Sequence, residues 1–159
     1  MHYGIQIILA FFGSLSFALL YNIRGRKLWY AALGGLLAWS VYLLLGLWLE
    51  DNVIRYFIAA SLVTVYAEVL ARATKTPTTT YLIAAIIPLV PGSDLYYTMS
   101  YAINGVWDRF IHVGIYTIAL SAALAAGIMA ASSVCRISTV VSMHWKNASI
   151  HKSQSKNPK

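Results

Sequence analysis

Ile86-Ile87-Pro88-Leu89-Val90-Pro91-Gly92-Ser93-Asp94 lies in the middle of an apolar stretch long enough to cross a membrane. Each proline removes a backbone donor, and its ring clashes with the preceding turn, so a helix running through Pro88 and Pro91 must kink or break. Broken backbone is costly at membrane depth unless it is packed inside protein or faces a water-filled cavity. A chain that keeps such a break beside a carboxylate is therefore built to move something across a membrane rather than merely to sit in one.

The composition around that stretch is that of an integral membrane protein. Over 159 residues the chain is 59% hydrophobic and 11% charged, with a mean hydropathy of +0.66, whereas a soluble domain is nearer half apolar and a quarter charged. It is too short for two domains of ordinary size. The net charge of +7 does not indicate a nucleic-acid partner, because the basic residues sit in short loops and in the tail 151–159. Cys135 is the single cysteine, which excludes an intrachain disulfide. The first apolar run, 3–21, is followed rather than preceded by Arg24, Arg26 and Lys27, the reverse of a signal peptide's charge order.

A span needs about 20 mostly apolar residues. Five are expected, near 3–22, 29–49, 53–72, 78–103 and 111–134, giving an all-α membrane protein whose fourth helix is broken at Pro88/Pro91-Gly92. The transmembrane domain covers 1–142. The basic remainder, 143–159, is expected to be a disordered tail or to touch anionic lipid headgroups. With five crossings, all of the twelve Lys and Arg residues except Arg55 and Arg109 fall on one side. The positive-inside rule then puts the N-terminus outside and the C-terminus in the cytosol. This holds if 78–103 crosses once; a re-entrant hairpin there would reverse the last span.

Small residues recur at spacing four in the last span, Ala122, Ala126 and Ala130 on one row and Ala123, Gly127 and Ala131 on the next. A weaker version occurs at Ala31, Gly34, Gly35 and Ala38. Such rows let helices approach closely in lipid, either within the chain or between subunits. Tyr3, Tyr21, Trp29, Tyr30, Trp48, Tyr56 and Trp107 lie near span ends, as interfacial aromatics do.

Asp94 is the leading site candidate. It is either the cap of a second half-helix, a role open to Ser93 as well, or a binding group for a proton, a cation or a substrate ammonium. A half-helix N-terminus favours a bound anion. An ionised Asp94 beside it fits best with an amino acid or a proton-coupled acid. Asp94, Tyr97 and Tyr101 form one stripe, and with Ser93, Thr98, Ser100 and Asn104 they give this half-span the polarity of a pathway lining. Glu68 and Arg72 share a helix face at spacing four, as an interfacial ion pair, a gate or a proton-linked pair. Thr64 continues that face inward. Thr76-Pro77-Thr78-Thr79-Thr80 starts the fourth span, with Thr76 as cap or the hydroxyls lining a vestibule. No His pair at ligand spacing, nucleophile–base set, paired cysteine or phosphate-cradling glycine loop is present. Neither an enzyme, a metal nor a cofactor is expected.

Ala67-Glu68-Val69-Leu70-Ala71-Arg72, Thr76-Pro77, Ile87-Pro88-Leu89-Val90-Pro91-Gly92 and Leu95-Tyr96-Tyr97-Thr98-Met99 together resemble the bacterial threonine/serine exporter family, over about residues 1–140. The chain is similar to the stand-alone small subunit found in the two-component succinate exporter. The resemblance implies export of a small amino acid or dicarboxylate across the bacterial inner membrane, and a larger subunit of the same family as partner. It places Glu68, Arg72, Pro77, Pro88, Pro91, Gly92 and Tyr97 on the family motif. The expected mechanism is alternating access around the broken helix. Pro88 and Pro91 hold the break, Gly92 permits close backbone approach, Asp94 with Tyr97 lines the site, and Glu68 with Arg72 gates it. With no nucleotide-binding signature, the energy comes from an ion or substrate gradient. The competing readings are a non-transporting assembly subunit and a homo-oligomeric channel lined by the broken helix.

Overall fold

The computed structural model describes residues 2–155, with side chains for 3–138. Its helices are α1 (His2–Leu20), α2 (Arg26–Leu45), α3 (Asn52–Thr74), α4 (Thr79–Ile86), α5 (Gly92–Ile103) and α6 (Trp107–Ser155), with a 3-10 turn at Ile87–Leu89 between α4 and α5. Among the described residues there is no strand. Helices α1, α2, α3 and the Trp107–Ser138 part of α6 are each long and apolar enough to span a bilayer, while α4 and α5 pass only as a pair bent by 57°.

The direction of α6 decides how that pair crosses. Asn52 of α3 meets Tyr116, Ser61 meets Gly127, and Arg72 meets Cys135. Residue numbers rise together along both helices, so α3 and α6 are parallel. A re-entrant α4–α5 hairpin would return the chain to the side on which α3 ended and make α6 antiparallel to it. The broken pair therefore carries the chain across once, and the fold has five crossings.

Three turns share one closure. Asn22, Lys75 and Gly105 adopt positive φ values of 57°, 51° and 69°. Just beyond each, an amide donates to the carbonyl five residues back: Ile23 to Ala18, Thr76 to Ala71 and Val106 to Tyr101. This is the left-handed helix stop that satisfies orphan carbonyls before the chain reverses. The remaining turn, between α2 and α3, is held differently. Asp51 caps α3 by accepting from the Val53 amide at 2.8 Å, and the Arg55 guanidinium donates to the carbonyls of Gly46 and Leu49.

Packing follows the small residues. A Cβ on Gly34 would lie 2.7 Å from the Ala85 Cβ of α4, and one on Gly35 would run into the Ser14 hydroxyl of α1. The two glycines thus seat α2 against two helices at once. On α6 a Cβ at Gly127 would come 2.5 Å from the Phe57 carbonyl of α3. The row Ala123, Gly127 and Ala131 faces α3, whereas Ala122 and Ala130 of the other row are exposed.

Two expectations change. Tyr56 is not an interfacial aromatic: it is only 7% exposed, with its ring centroid 5.0 Å from that of Tyr42, because it projects inward at the start of α3. The backbone of 143–155, expected to be disordered, continues α6 to Ser155; no glycine or proline interrupts the sequence between Gly127 and Pro158. The side chains of the basic tail, including Lys146, Lys152, Lys156 and Lys159, lie outside the described residues.

Gly127→Val is expected to lower stability by about 1–3 kcal/mol, because a side chain there must push against backbone. Gly13→Ala, where nothing lies within 4 Å of the new Cβ, should be neutral or stabilising by up to about 1 kcal/mol. Thermal unfolding in detergent micelles reads both.

Candidate functional site

The break is built from three short pieces of backbone. Pro88 sits in the 3-10 turn, Val90 is extended at φ −66°, ψ 125°, and Pro91 follows at φ −73°, ψ 62°. The Gly92 amide donates to the Val90 carbonyl at 2.7 Å across Pro91, which makes Pro91 the centre of an inverse γ-turn. A proline suits that place because its ring already fixes φ near the required value. Pro91 is buried and Gly92 is exposed, with nothing within 4 Å of a Cβ built on it. Gly92 is thus not a point of close backbone approach; the bend is made by its proline neighbour.

The bend sends the two halves to different partners. α4 packs on α2 and α3, and α5 packs on α6. Between the two halves, Leu89 of the 3-10 turn joins Leu120 of α6 and Val63 and Tyr56 of α3 in one buried cluster. Nearer the end of the bundle where α3 stops, residues of α3, α4 and α6 border a cavity of ≈ 590 Å³. Glu68 of α3, Thr78 and Thr79 at the start of α4, and Ser132, Ser133 and Arg136 of α6 line it. The cluster of Ala18, Ile23, Ala31, Ala71 and Tyr81 places the α1–α2 and α3–α4 turns at this same end. Arg24, Arg26, Lys27 and Lys75 therefore surround the bundle end near which the cavity lies.

Glu68 lies roughly 9 Å along α3 from Thr74, at 1.5 Å per residue. Its carboxylate is 3.5 Å from Arg72, the side chains being 20% and 46% exposed respectively. Arg72 also donates to the Cys135 carbonyl at 2.8 Å, tying α3 to α6. Glu68 and Arg72 therefore form the expected pair. The Thr78 and Thr79 hydroxyls line the cavity rather than capping a helix, since neither makes a side-chain cap. Thr76 bonds to Thr74 instead. Thr64, fully buried, donates to the Ala60 carbonyl at 2.7 Å, so its hydroxyl is used by its own helix and does not extend the polar face.

Beyond the seal, the other end is closed by hydrogen bonds between three helices. Asn52 Nδ2 donates to the Tyr116 hydroxyl at 2.7 Å, while its Oδ1 accepts from Tyr42 at 3.2 Å and from Arg55 at 3.1 Å. α2, α3 and α6 are thus locked together there. Asn52, Tyr42 and Tyr116 are a set that sequence reasoning missed, because their spacing of 10 and 64 residues leaves no periodic signal.

Asp94 stands on this second side, in the first turn of α5. Neither it nor Ser93 caps that helix: the cap position is Pro91, and no side-chain cap bond forms. Among the described residues the Asp94 carboxylate has no hydrogen-bond or ion-pair partner. Tyr97 and Tyr101 stack with centroids 6.3 Å apart, and Arg109 lies over Tyr101 at 5.9 Å. Tyr96 and Tyr97 are 69% and 52% exposed, whereas Asp94 and Tyr101 are half-buried. Thr98 points inward, donating to the Asp94 carbonyl at 2.7 Å and lying 3.4 Å from the Thr117 hydroxyl of α6. The sequence-named groups accordingly divide into Glu68 with Arg72 at the cavity and, beyond the break, the half-buried Asp94, Thr98 and Tyr101 beside the exposed Tyr97. Arg136, Ser132 and Ser133 are the cavity groups that sequence reasoning passed over. Their one signal is a pair of serines one turn before an arginine at the end of an alanine-rich helix.

Residues 6–134 match the family model described as Threonine/Serine exporter, ThrE. No curated protein and no solved structure matches the chain.

In a chain carrying Cys135→Ser, Ser133→Cys is expected to react with a hydrophilic maleimide at least about tenfold faster than Leu120→Cys, since thiol reactivity follows exposure. Equal rates would mean that the seal at Leu89 and Leu120 does not separate the two sides.

Proposed function

Because the chain belongs to the threonine/serine exporter family, a family of transporters rather than enzymes, we propose that this multi-pass membrane protein is the small subunit of a secondary exporter in the bacterial inner membrane. Its cargo is a small amino acid such as threonine or serine, or a dicarboxylate such as succinate. The observation that carries the reading is the cavity bounded by Glu68, Thr79, Leu82, Met129 and Arg136. It lies at the basic end of the bundle, with the buried Leu89–Leu120 cluster further along the same helices.

The positive-inside rule assigns the basic end to the cytosol. The conformation is then inward-open: cytosolic solute enters the wedge between α4 and α6 and stops at the seal. Release on the far side requires α4 to close on α6 while the Asn52–Tyr116 contact parts. The γ-turn at Pro91 is where that motion is taken up, since few inter-helix contacts hold the two half-helices to one another. Closing one side as the other opens is alternating access, driven by an ion or substrate gradient.

The exposed tyrosines Tyr96 and Tyr97 of α5, beside the half-buried Asp94 and Tyr101, support a larger partner subunit. A carboxylate and several hydroxyls at membrane depth are costly against lipid and are ordinarily covered by protein or water. The same observation favours the second reading, an assembly subunit whose partner carries the pathway.

Export of labelled serine, threonine and succinate from cells expressing the chain with its partner separates the two. Ser132→Trp, which fills the cavity, should reduce export at least about tenfold at unchanged membrane abundance, as loss of a binding geometry does. Leu62→Trp, on an exposed face of α3, should not. Undiminished export in Ser132→Trp would move the pathway into the partner.

A further inference from the structure

Resting on the reading that a larger partner completes this subunit, we infer that the gap between α5 and the outer half of α2 seats a membrane-spanning helix of that different chain, which presents a Lys or Arg to Asp94. The bend opens the gap. Up to the break, α4 packs along α2, with Ala85 against Gly34, and also touches α1. Past the break, α2 keeps contact with the 3-10 turn, while α5 packs on α6. Over the 12 residues of α5, the bend of 57° carries its far end roughly 15 Å from the line of α4. Neighbouring helix axes lie about 8–10 Å apart. Room for one more helix is therefore left where α4 would have continued along α1 and α2.

Both walls of the gap carry polar groups that lipid cannot answer. On one side, α1 and α2 border an open pocket of ≈ 250 Å³ at Pro88, lined by Gln6, Leu9, Ala10 and Trp39. The Trp39 indole donates to the Gln6 amide oxygen there at 3.4 Å. On the other side, the exposed Tyr97 follows Asp94, which is half-buried in the first turn of α5. Ile103 ends α5 roughly 14 Å along the axis from Asp94, close to half of the hydrocarbon thickness of about 30 Å. Ionisable groups at that depth pair with other groups rather than face lipid. Among the described residues Asp94 has no such pair.

Charge identifies the occupant. Of the twelve Lys and Arg residues of this chain, all but Arg55 and Arg109 belong to the basic end. Arg55 is engaged by the Gly46 and Leu49 carbonyls and by Asn52, and Arg109 lies over Tyr101. His112 stands in the second turn of α6, at the same end as Arg109. A second copy in the same orientation therefore brings no cation to the level of Asp94, whereas a different chain can. Asp94 sits at the narrow end of the gap, beside the break. A whole helix does not fit there, but the long stem of a Lys or Arg on a helix seated further out reaches it. Trp39, Tyr97 and Tyr101 add the rigid aromatic surface on which protein contacts depend most.

Photocrosslinking in the membranes of cells that express the full chain with its partner tests this. p-Benzoylphenylalanine in place of Trp39 and, separately, of Tyr97 should form adducts with the same membrane-spanning peptide of another chain, one that carries a Lys or Arg near its middle. The same probe in place of Leu62, on an exposed face of α3, should not. Asp94→Asn should lower both yields at least about tenfold at unchanged membrane abundance, the effect of losing one charge pair within the membrane. Asp94→Glu should keep most of the yield, which distinguishes lost charge from lost fold. Asp94→Lys should recover the adduct only when the cation of the crosslinked span is changed to Asp. Adducts with lipid or with a second copy alone, a crosslinked span without a cation, or full yield in Asp94→Asn would each overturn the inference. A crosslinked span without a cation leaves the partner reading standing, whereas no adduct with any other chain defeats both. Export measured in the same cells reads the exporter assignment separately.

Discussion

A chain segment that lacks two backbone donors within four residues cannot cross hydrocarbon as one straight helix, and the arrangement of the other helices depends on how that constraint is met. Pro88 and Pro91 replace helical hydrogen bonds with a 3-10 turn and a γ-turn. The Pro91 side of the break is buried, consistent with the rule that irregular backbone at membrane depth is covered by protein. The resulting bend of 57° gives the two half-helices separate neighbours. Had the segment run straight, α4 and α5 would pack along one partner and the wedge between α4 and α6 would not exist.

The wedge is asymmetric because its two ends are held by different chemistry. At the closed end Asn52 bridges Tyr42 and Tyr116, a directional lock that one side-chain amide completes. At the seal, Leu89, Val63 and Leu120 exclude water without directional bonds, so contact there can be broken and remade without orphaning a polar group. At the open end Arg72 fastens α3 to α6 while leaving Arg136 and four hydroxyls facing the void. Gly127 seats α6 against α3, and the broken helix beside that pair is where the chain bends.

Seen from the membrane, α5 is the exposed half. It has no fully buried residue, and its stripe of Asp94, Tyr97 and Tyr101 is ordered by ring stacking and by Arg109 rather than by packing into the bundle. The open alanine row at Ala122 and Ala130 lies on the helix that α5 packs against. Small and polar surface on neighbouring helices suits contact with protein better than contact with lipid tails.

The sequence by itself determined what local chemistry and composition dictate. Apolar lengths specified the spans, two prolines the break, alternating loop charge the basic end, and spacing of four the Glu68–Arg72 pair and the Ala123–Gly127–Ala131 row. These are properties of one segment and its solvent, and periodicity carries them. Only the tertiary structure decided which face meets which. Helical spacing places Asp94 with Tyr97 and Tyr101 on one stripe, but whether the stripe lines a cavity or faces outward depends on where a bent helix comes to rest. Periodicity likewise cannot say that the Thr64 and Thr98 hydroxyls bond to their own helices while those of Ser132 and Ser133 stay available. Glu68 and Arg136 are 68 residues apart in the chain, and they share a cavity because α3 and α6 run parallel. That relation is set by the single crossing of the broken pair between them, a long-range consequence of chain direction that no window of sequence contains.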